Sequence, residues 1–188
     1  MKKIFVISGP SGSGKTALLK GLFRSRQIKE KFFKIPTFTT RKPRKGERNF
    51  LDYCFLTKEE FLRLKKKKFF LESKKYLEDF YGTPKDFLKK AGKKFPLLCI
   101  DVEGALKIKK KFKDKAVLVF IQPPSSKVLE VRLRKRRTEP EEILKKRLRI
   151  AKKEVKYAKK YKYRLTNQNL DKTKEELKRI LLEEMKDL

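Results

Sequence analysis

Residues 4–16, IFVISGPSGSGKT, restrict the fold of this chain more than any other stretch. The apolar, β-branched run reads as a buried strand from Lys3 to Ser8. The loop behind it matches G-x-x-x-x-G-K-[ST] at Gly9, Gly14, Lys15 and Thr16. A helix is predicted from Lys15 to about Arg26, with Leu18, Leu19, Leu22 and Phe23 on one face. Strand, glycine-rich loop and helix in that order form a phosphate cradle. The glycines let successive N–H groups of the loop, which also holds Ser11, Gly12 and Ser13, point at phosphate oxygens. The helix N-terminus adds a favourable dipole. Lys15 brings a cation to the β and γ phosphates, and Thr16 offers a hydroxyl to Mg2+. A Gly/Ser turn that merely joins strand to helix needs none of these four residues, so a nucleoside triphosphate with Mg2+ is the expected ligand.

The rest of the chain alternates in the same way. Tyr53–Leu56, residues 96–101 (PLLCID), residues 116–121 (AVLVFI) and Tyr163–Thr166 read as strands. Helices are expected after the capping box Thr57-Lys-Glu-Glu60, from Thr83-Pro84, through Leu106, Ile108 and Phe112, and from Ser125. A second capping box, residues 138–141, opens a long helix to about Lys160, and Asp171 caps a C-terminal one. Residues 34–50 have no helical period and carry Pro36, Pro43 and Gly46, so they are extended or looped. This alternation predicts an α/β domain with a largely parallel sheet.

Composition narrows the chemistry. With no histidine among 188 residues, imidazole base catalysis is excluded. Cys54 and Cys99 fit no metal spacing, and no disulfide is expected between them. The net charge of +32 would attract any polyanion. The lysines are spread along the whole chain, however, and a dedicated nucleic-acid patch would be more local. We read them as solvated faces, with no specific nucleic-acid partner. No apolar run reaches membrane-spanning length, and the first one is too short for a secretory signal. A cytoplasmic protein without a membrane partner is expected, as monomer or homodimer.

The acceptor of the phosphoryl group is suggested by residues 39–47, TTRKPRKGE. Arg41 and Arg44 on a loop stiffened by Pro43 suit bidentate capture of a phosphate. The hydroxyls of Tyr53 and Tyr81 could donate to the same group, and Glu72 stands in the otherwise apolar FFLES.

At this point the chain resembles the guanylate kinase family. GPSGSGKT, TFTTRKPRKGE, DY at 52–53, FLE at 70–72, FYGT at 80–83 and RLRKRRTE at 132–139 occur in that family's order, from about residue 4 to the end. The resemblance implies a three-layer P-loop nucleotide kinase with a parallel core sheet, an inserted GMP-binding lobe and a helical lid. The expected divisions are core 1–34, GMP lobe 35–88, core 89–124, lid 125–156 and core 157–188. It implies transfer from ATP with Mg2+ to GMP or dGMP. Thr37 and Glu72 would read guanine: the carboxylate accepts from N1–H and N2–H2, and the hydroxyl donates to O6. Adenine reverses that pattern and leaves buried groups unpaired, at about 1–3 kcal/mol each. Arg41, Arg44, Tyr53 and Tyr81 would hold the GMP phosphate, Glu47 would orient an arginine, and Thr83 would line the base site. Arg132, Arg136 and Arg147 match the lid arginines that bridge the phosphates, and Asn167 would meet the donor base.

Three departures from the family pattern stand out. Its L-D-I-D is Leu98-Cys99-Ile100-Asp101 here, which leaves Asp101 alone for the acceptor or a metal-bound water. A lid glycine is Arg137, and N-D-D near the end is Asn167-Gln168-Asn169. The competing readings are another P-loop small-molecule kinase, a non-catalytic module of the same fold, and a nucleic-acid binder. The intact loop and lid arginines argue against the second.

Overall fold

The computed structural model of the protein describes residues 2–44, 46–135 and 140–186. It is a mixed α/β structure that divides into two compact units, Met1–Lys31 with Ile100–Leu188, and Phe32–Cys99. Among the described residues no helix is long and apolar enough to cross a membrane.

The first unit is built on three parallel strands. β1 (Ile4–Ser8) is buried at all five positions, as its unbroken apolar run requires. It pairs with β8 (Ala116–Gln122) from Ile4 opposite Ala116 to Ser8 opposite Phe120. β8 pairs in turn with β9 (Tyr163–Thr166). The first helix, α1 (Lys15–Leu22), ends four residues earlier than the sequence suggests. Phe23 closes it, and Arg24 and Ser25 donate back to Gly21 and Leu22 at 3.1 Å, before a short α2 (Arg26–Lys31). Next in this unit come α5 (Val102–Phe112), α6 (Ser126–Arg134) and α7 (Glu141–Val155). Leu129 and Leu133 of α6 pack on Leu144 and Ala151 of α7. A 3-10 turn over Lys156–Lys160 replaces the last turns of the long helix expected there. The capping box expected to open α7 falls on residues 138–141, of which 138 and 139 lie outside the described residues. The C-terminal α8 (Leu170–Lys186) packs on α1. Its cap is Asn169, whose Oδ1 accepts from Asp171 N and Lys172 N at 3.0 Å. Asp171, expected as the cap, lies inside the first turn and pairs with Lys174 instead.

The second unit holds the parallel pair β2 (Phe32–Lys34) and β7 (Phe95–Cys99) and a four-stranded sheet in the order β4-β3-β6-β5. Those strands are β3 (Thr37–Thr39), β4 (Tyr53–Phe55), β5 (Phe70–Tyr76) and β6 (Asp79–Pro84). The Thr57 capping box opens α3 (Lys58–Lys66) as expected, with both reciprocal bonds made. Thr83-Pro84 does not start a helix. Both residues are claimed by the ladder, Thr83 opposite Glu72 and Pro84 opposite Phe70, and α4 (Phe87–Ala91) begins after Asp86.

One face of the four-stranded sheet is an aromatic core. Phe61 of α3 stacks on Phe70 and Phe80 at 4.5 and 5.5 Å, and Phe38 meets Phe69 and Phe70 edge-on. Gly82 keeps that face close: a Cβ there would stand 2.8 Å from the Phe70 ring. The opposite face carries the polar row described below.

Candidate active site

The glycine-rich loop expected to hold the donor lies in the first unit. Gly9 has φ 140° and touches the end of β8 so closely that a Cβ would stand 2.0 Å from Ile121 O. Gly14 has φ 94°, in the region that side chains avoid. These two residues set the curl of the loop. Lys15 Nζ lies over it, donating to Gly9 O at 2.6 Å and Pro10 O at 2.9 Å. Strand, glycine-rich loop and helix thus follow one another as the sequence predicts, with Lys15 folded over the loop.

Two arginines of α6 and α7 stand near this loop, one on the loop itself and one on Asn167. Arg147, only 7% exposed on α7, donates from Nη1 to Ser11 Oγ at 3.0 Å. Arg132 of α6 donates from Nη2 to Asn167 O at 2.9 Å. Its Nη1 is buried without a hydrogen-bond partner among the described residues. A buried cationic donor in that condition suits a phosphate oxygen. Arg136 and Arg137 lie outside the described residues. Exposed Arg134 grips Glu141 with both Nη atoms at 2.8 and 2.9 Å and Glu130 with Nε at 3.0 Å, joining α6 to α7.

Thr16 stands in the first turn of α1, and Asp101 is the N-cap of α5, its Oδ1 accepting from Glu103 N at 2.8 Å and Gly104 N at 3.1 Å. A hydroxyl and a carboxylate are hard oxygen ligands. They fit Mg2+, which takes few protein ligands and completes its shell with phosphate oxygens and water.

The residues expected at the acceptor lie in the second unit, and strand register assembles them into a row. Thr37 pairs with Tyr53 across β3 and β4. Phe38 pairs with Gly82 and Thr39 with Tyr81, which sets Thr37 level with Thr83. Thr83 pairs with Glu72. Tyr53, Thr37, Thr83 and Glu72 therefore form one row on one face, with Tyr81 in the next row. A register shift between Phe70 and Glu72 makes this possible. By plain alternation both residues would share a face; the bulge leaves Phe70 in the aromatic core and turns Glu72 to the other side. Glu72 is 9% exposed, and Thr83 Oγ1 donates to its Oε1 at 2.6 Å.

Beside this row sits the arginine loop. The Glu47 carboxylate takes Arg41 Nη2 on both oxygens, at 3.0 and 2.9 Å, and Arg44 N at 2.8 Å. The Arg41 guanidinium lies 5.4 Å from the Tyr53 ring centroid. Burial works against its charge, but the Glu47 hydrogen bond together with the nearby Tyr81, Glu47 and Tyr53 outweighs that and holds the group above its ordinary pKa. Burial, with Cys99 and Tyr81 nearby, pushes the Tyr53 hydroxyl up, so it stays protonated. Tyr81 packs edge-on against Tyr53.

Sequence reasoning missed the brace beneath that loop. Asp52, 5% exposed, accepts Arg48 N at 3.0 Å and Lys34 Nζ at 3.3 Å, and Lys34 also reaches Leu51 O. One lysine among 55 basic residues carries no local signal, and Asp52 is marked only by its place beside Tyr53.

The guanylate kinase family model matches residues 1–184. The guanylate kinase of Mycoplasma genitalium is 44% identical over 97% of this chain and 76% of its own length. That of Caldanaerobacter subterraneus is 41% identical over 96% of this chain and 87% of its own. The crystal structure of guanylate kinase from Anaplasma phagocytophilum superposes with a TM-score of 0.76 at 31% identity, covering 98% of this chain and 86% of that one.

Proposed function

The chain belongs to the guanylate kinase family, and from that premise we propose that it transfers the γ-phosphoryl group of ATP to GMP or dGMP, releasing ADP and GDP or dGDP. The observation that carries this reading is the polar row Thr37–Thr83–Glu72, with a buried carboxylate whose Oε1 is fixed by Thr83. A carboxylate beside a hydroxyl matches the N1–H, N2–H2 and O6 edge of guanine and mismatches adenine.

The chemistry needs positioning and charge neutralisation rather than a base. A phosphate monoester has its second pKa near 6, so the attacking GMP oxygen is already ionised at neutral pH. The absence of histidine is no obstacle. Arg44, Arg41, Tyr53 and Tyr81 hold the GMP phosphate, with Glu47 fixing the loop. The loop N–H groups, Lys15, Arg132, Arg147 and, outside the described residues, Arg136 take the charge that moves onto ADP. Thr16 would hold Mg2+ brought in with ATP, Asp101 would stand near it or near the acceptor, and the ion would supply charge neutralisation to the triphosphate. Both substrates are soluble nucleotides, which suits a cytoplasmic enzyme.

Calorimetric titration with GMP and AMP, on wild type and Glu72→Gln, tests the acceptor assignment. GMP should bind the wild type well above AMP and lose about tenfold or more in the variant. Equal binding of the two bases, or of GMP by both proteins, would refute it.

A further inference from the structure

Asn167, 3% exposed at the end of β9, joins three parts of the donor half. Its backbone N–H donates to Gln122 O, at the end of β8, at 2.8 Å. Its carbonyl accepts Arg132 Nη2 at 2.9 Å. Its side-chain Nδ2 donates to Ser13 O at 2.8 Å, inside the phosphate loop. The same nitrogen lies 2.2 Å from where a Cβ on Gly14 would stand.

The peptide between Ser13 and Gly14 is planar and trans, so its C=O and N–H point in opposite directions. Holding Ser13 O on the Asn167 side therefore turns Gly14 N–H to the other side. Ser13 is fully buried, and its own N–H is held within the loop by Pro10 O at 3.1 Å. An unpaired carbonyl there would be costly and free to rotate its peptide out of register.

We propose that Asn167 is a positioning residue for ATP: its amide sets the Ser13–Gly14 peptide for phosphate, while its carbonyl sets Arg132 beside the same loop. One residue thus links the cradle to a lid arginine, and no contact with the donor base is needed. The role demands an amide. An aspartate has the same shape but would face Ser13 O with oxygen instead of a donor.

The inference rests on the phosphotransferase reading, and the test separates the two. Wild type, Asn167→Asp and Asn167→Ala are titrated calorimetrically with Mg·ADP alone and with GMP alone, melted, and assayed for kcat and for KM of ATP. Asn167→Asp should melt as a folded protein and bind GMP within about twofold of wild type, while ADP affinity and kcat/KM for ATP fall about tenfold or more. ADP affinity and kcat/KM within about twofold of wild type in that variant would overturn the proposal. So would a parallel loss of GMP and ADP binding, which marks a general structural role. If Asn167→Ala fails to fold, Asn167→Asp decides. A wild type that binds ADP but never phosphorylates GMP refutes the acceptor assignment and leaves the ADP comparison to decide Asn167.

Discussion

Thr83 fixes the one carboxylate in the polar row. It donates to Glu72 Oε1 at 2.6 Å in a fully buried setting. Thr83→Val keeps the volume and removes that donor. We predict a rise in KM for GMP of about tenfold with a smaller change in kcat, read from steady-state rates at saturating ATP. Glu184 is a different kind of buried carboxylate. It accepts Tyr163 OH at 2.6 Å and Lys3 Nζ at 2.9 Å and pairs with Lys162, tying α8 to β1 and to the start of β9. Burial alone would raise its pKa; the bonds from Lys162, Tyr163 and Lys3 outweigh that and bring it to about 2. A folded value below the unfolded 4.5 stabilises the protein above pH 4.5, and that share is lost as pH falls from 4.5 toward 2. The full shift corresponds to roughly 3 kcal/mol, less what water screens. Urea titrations at pH 7 and pH 3.5 should show Glu184→Gln less stable than wild type at pH 7, with the gap narrowing at pH 3.5. A gap independent of pH would show that the charge is not what stabilises.

At the scale of elements, the phosphate loop and the two helices behind it form one device. Gly9→Ala would push a methyl to 2.0 Å from Ile121 O, so the loop must leave β8. That variant should lose ADP binding in calorimetry and melt several degrees lower. Arg147→Ala removes the α7 contact to Ser11. It should lower kcat about a hundredfold or more with GMP binding unchanged; a change in GMP affinity alone would contradict its place in the donor half. The same scale explains what could be read in advance. The phosphate loop and the Thr57 cap are local patterns, and both stand where the sequence places them. Thr83-Pro84 looked like a helix start because the pairing that makes it a strand comes from Phe70 to Tyr76, a partner the local window does not contain. That hairpin turns at Leu77-Glu78, with Leu77 at φ 55°, and lacks the Gly or Asn that usually announces such a turn. The bulge before Glu72 was equally silent, although it decides which face Glu72 takes. Side-chain types gave the polar character of the Thr37–Thr83–Glu72 row; register, which is nonlocal, gave its geometry. The caps at Asn169 and Asp171 show the limit of such signals, since both are good cap residues two positions apart.

For the molecule as a whole, a net charge of +32 sets a field that any anion feels. If the cations are solvated faces, DNA or RNA binding should show no sequence preference and fall linearly on a log–log plot against salt. On the proposed reading, selection of GMP over AMP rests on the buried Glu72–Thr83 pair rather than on the field, and it should survive the same salt. Selection that vanished with salt would place specificity in the charge. The central claim is tested most directly by following ADP release with ATP, Mg2+ and each of GMP, dGMP, AMP, CMP and UMP. GMP and dGMP should be turned over, with AMP about a hundredfold slower or worse. Comparable turnover of AMP, or no ADP release with GMP from protein that still binds ATP, would contradict the guanine site.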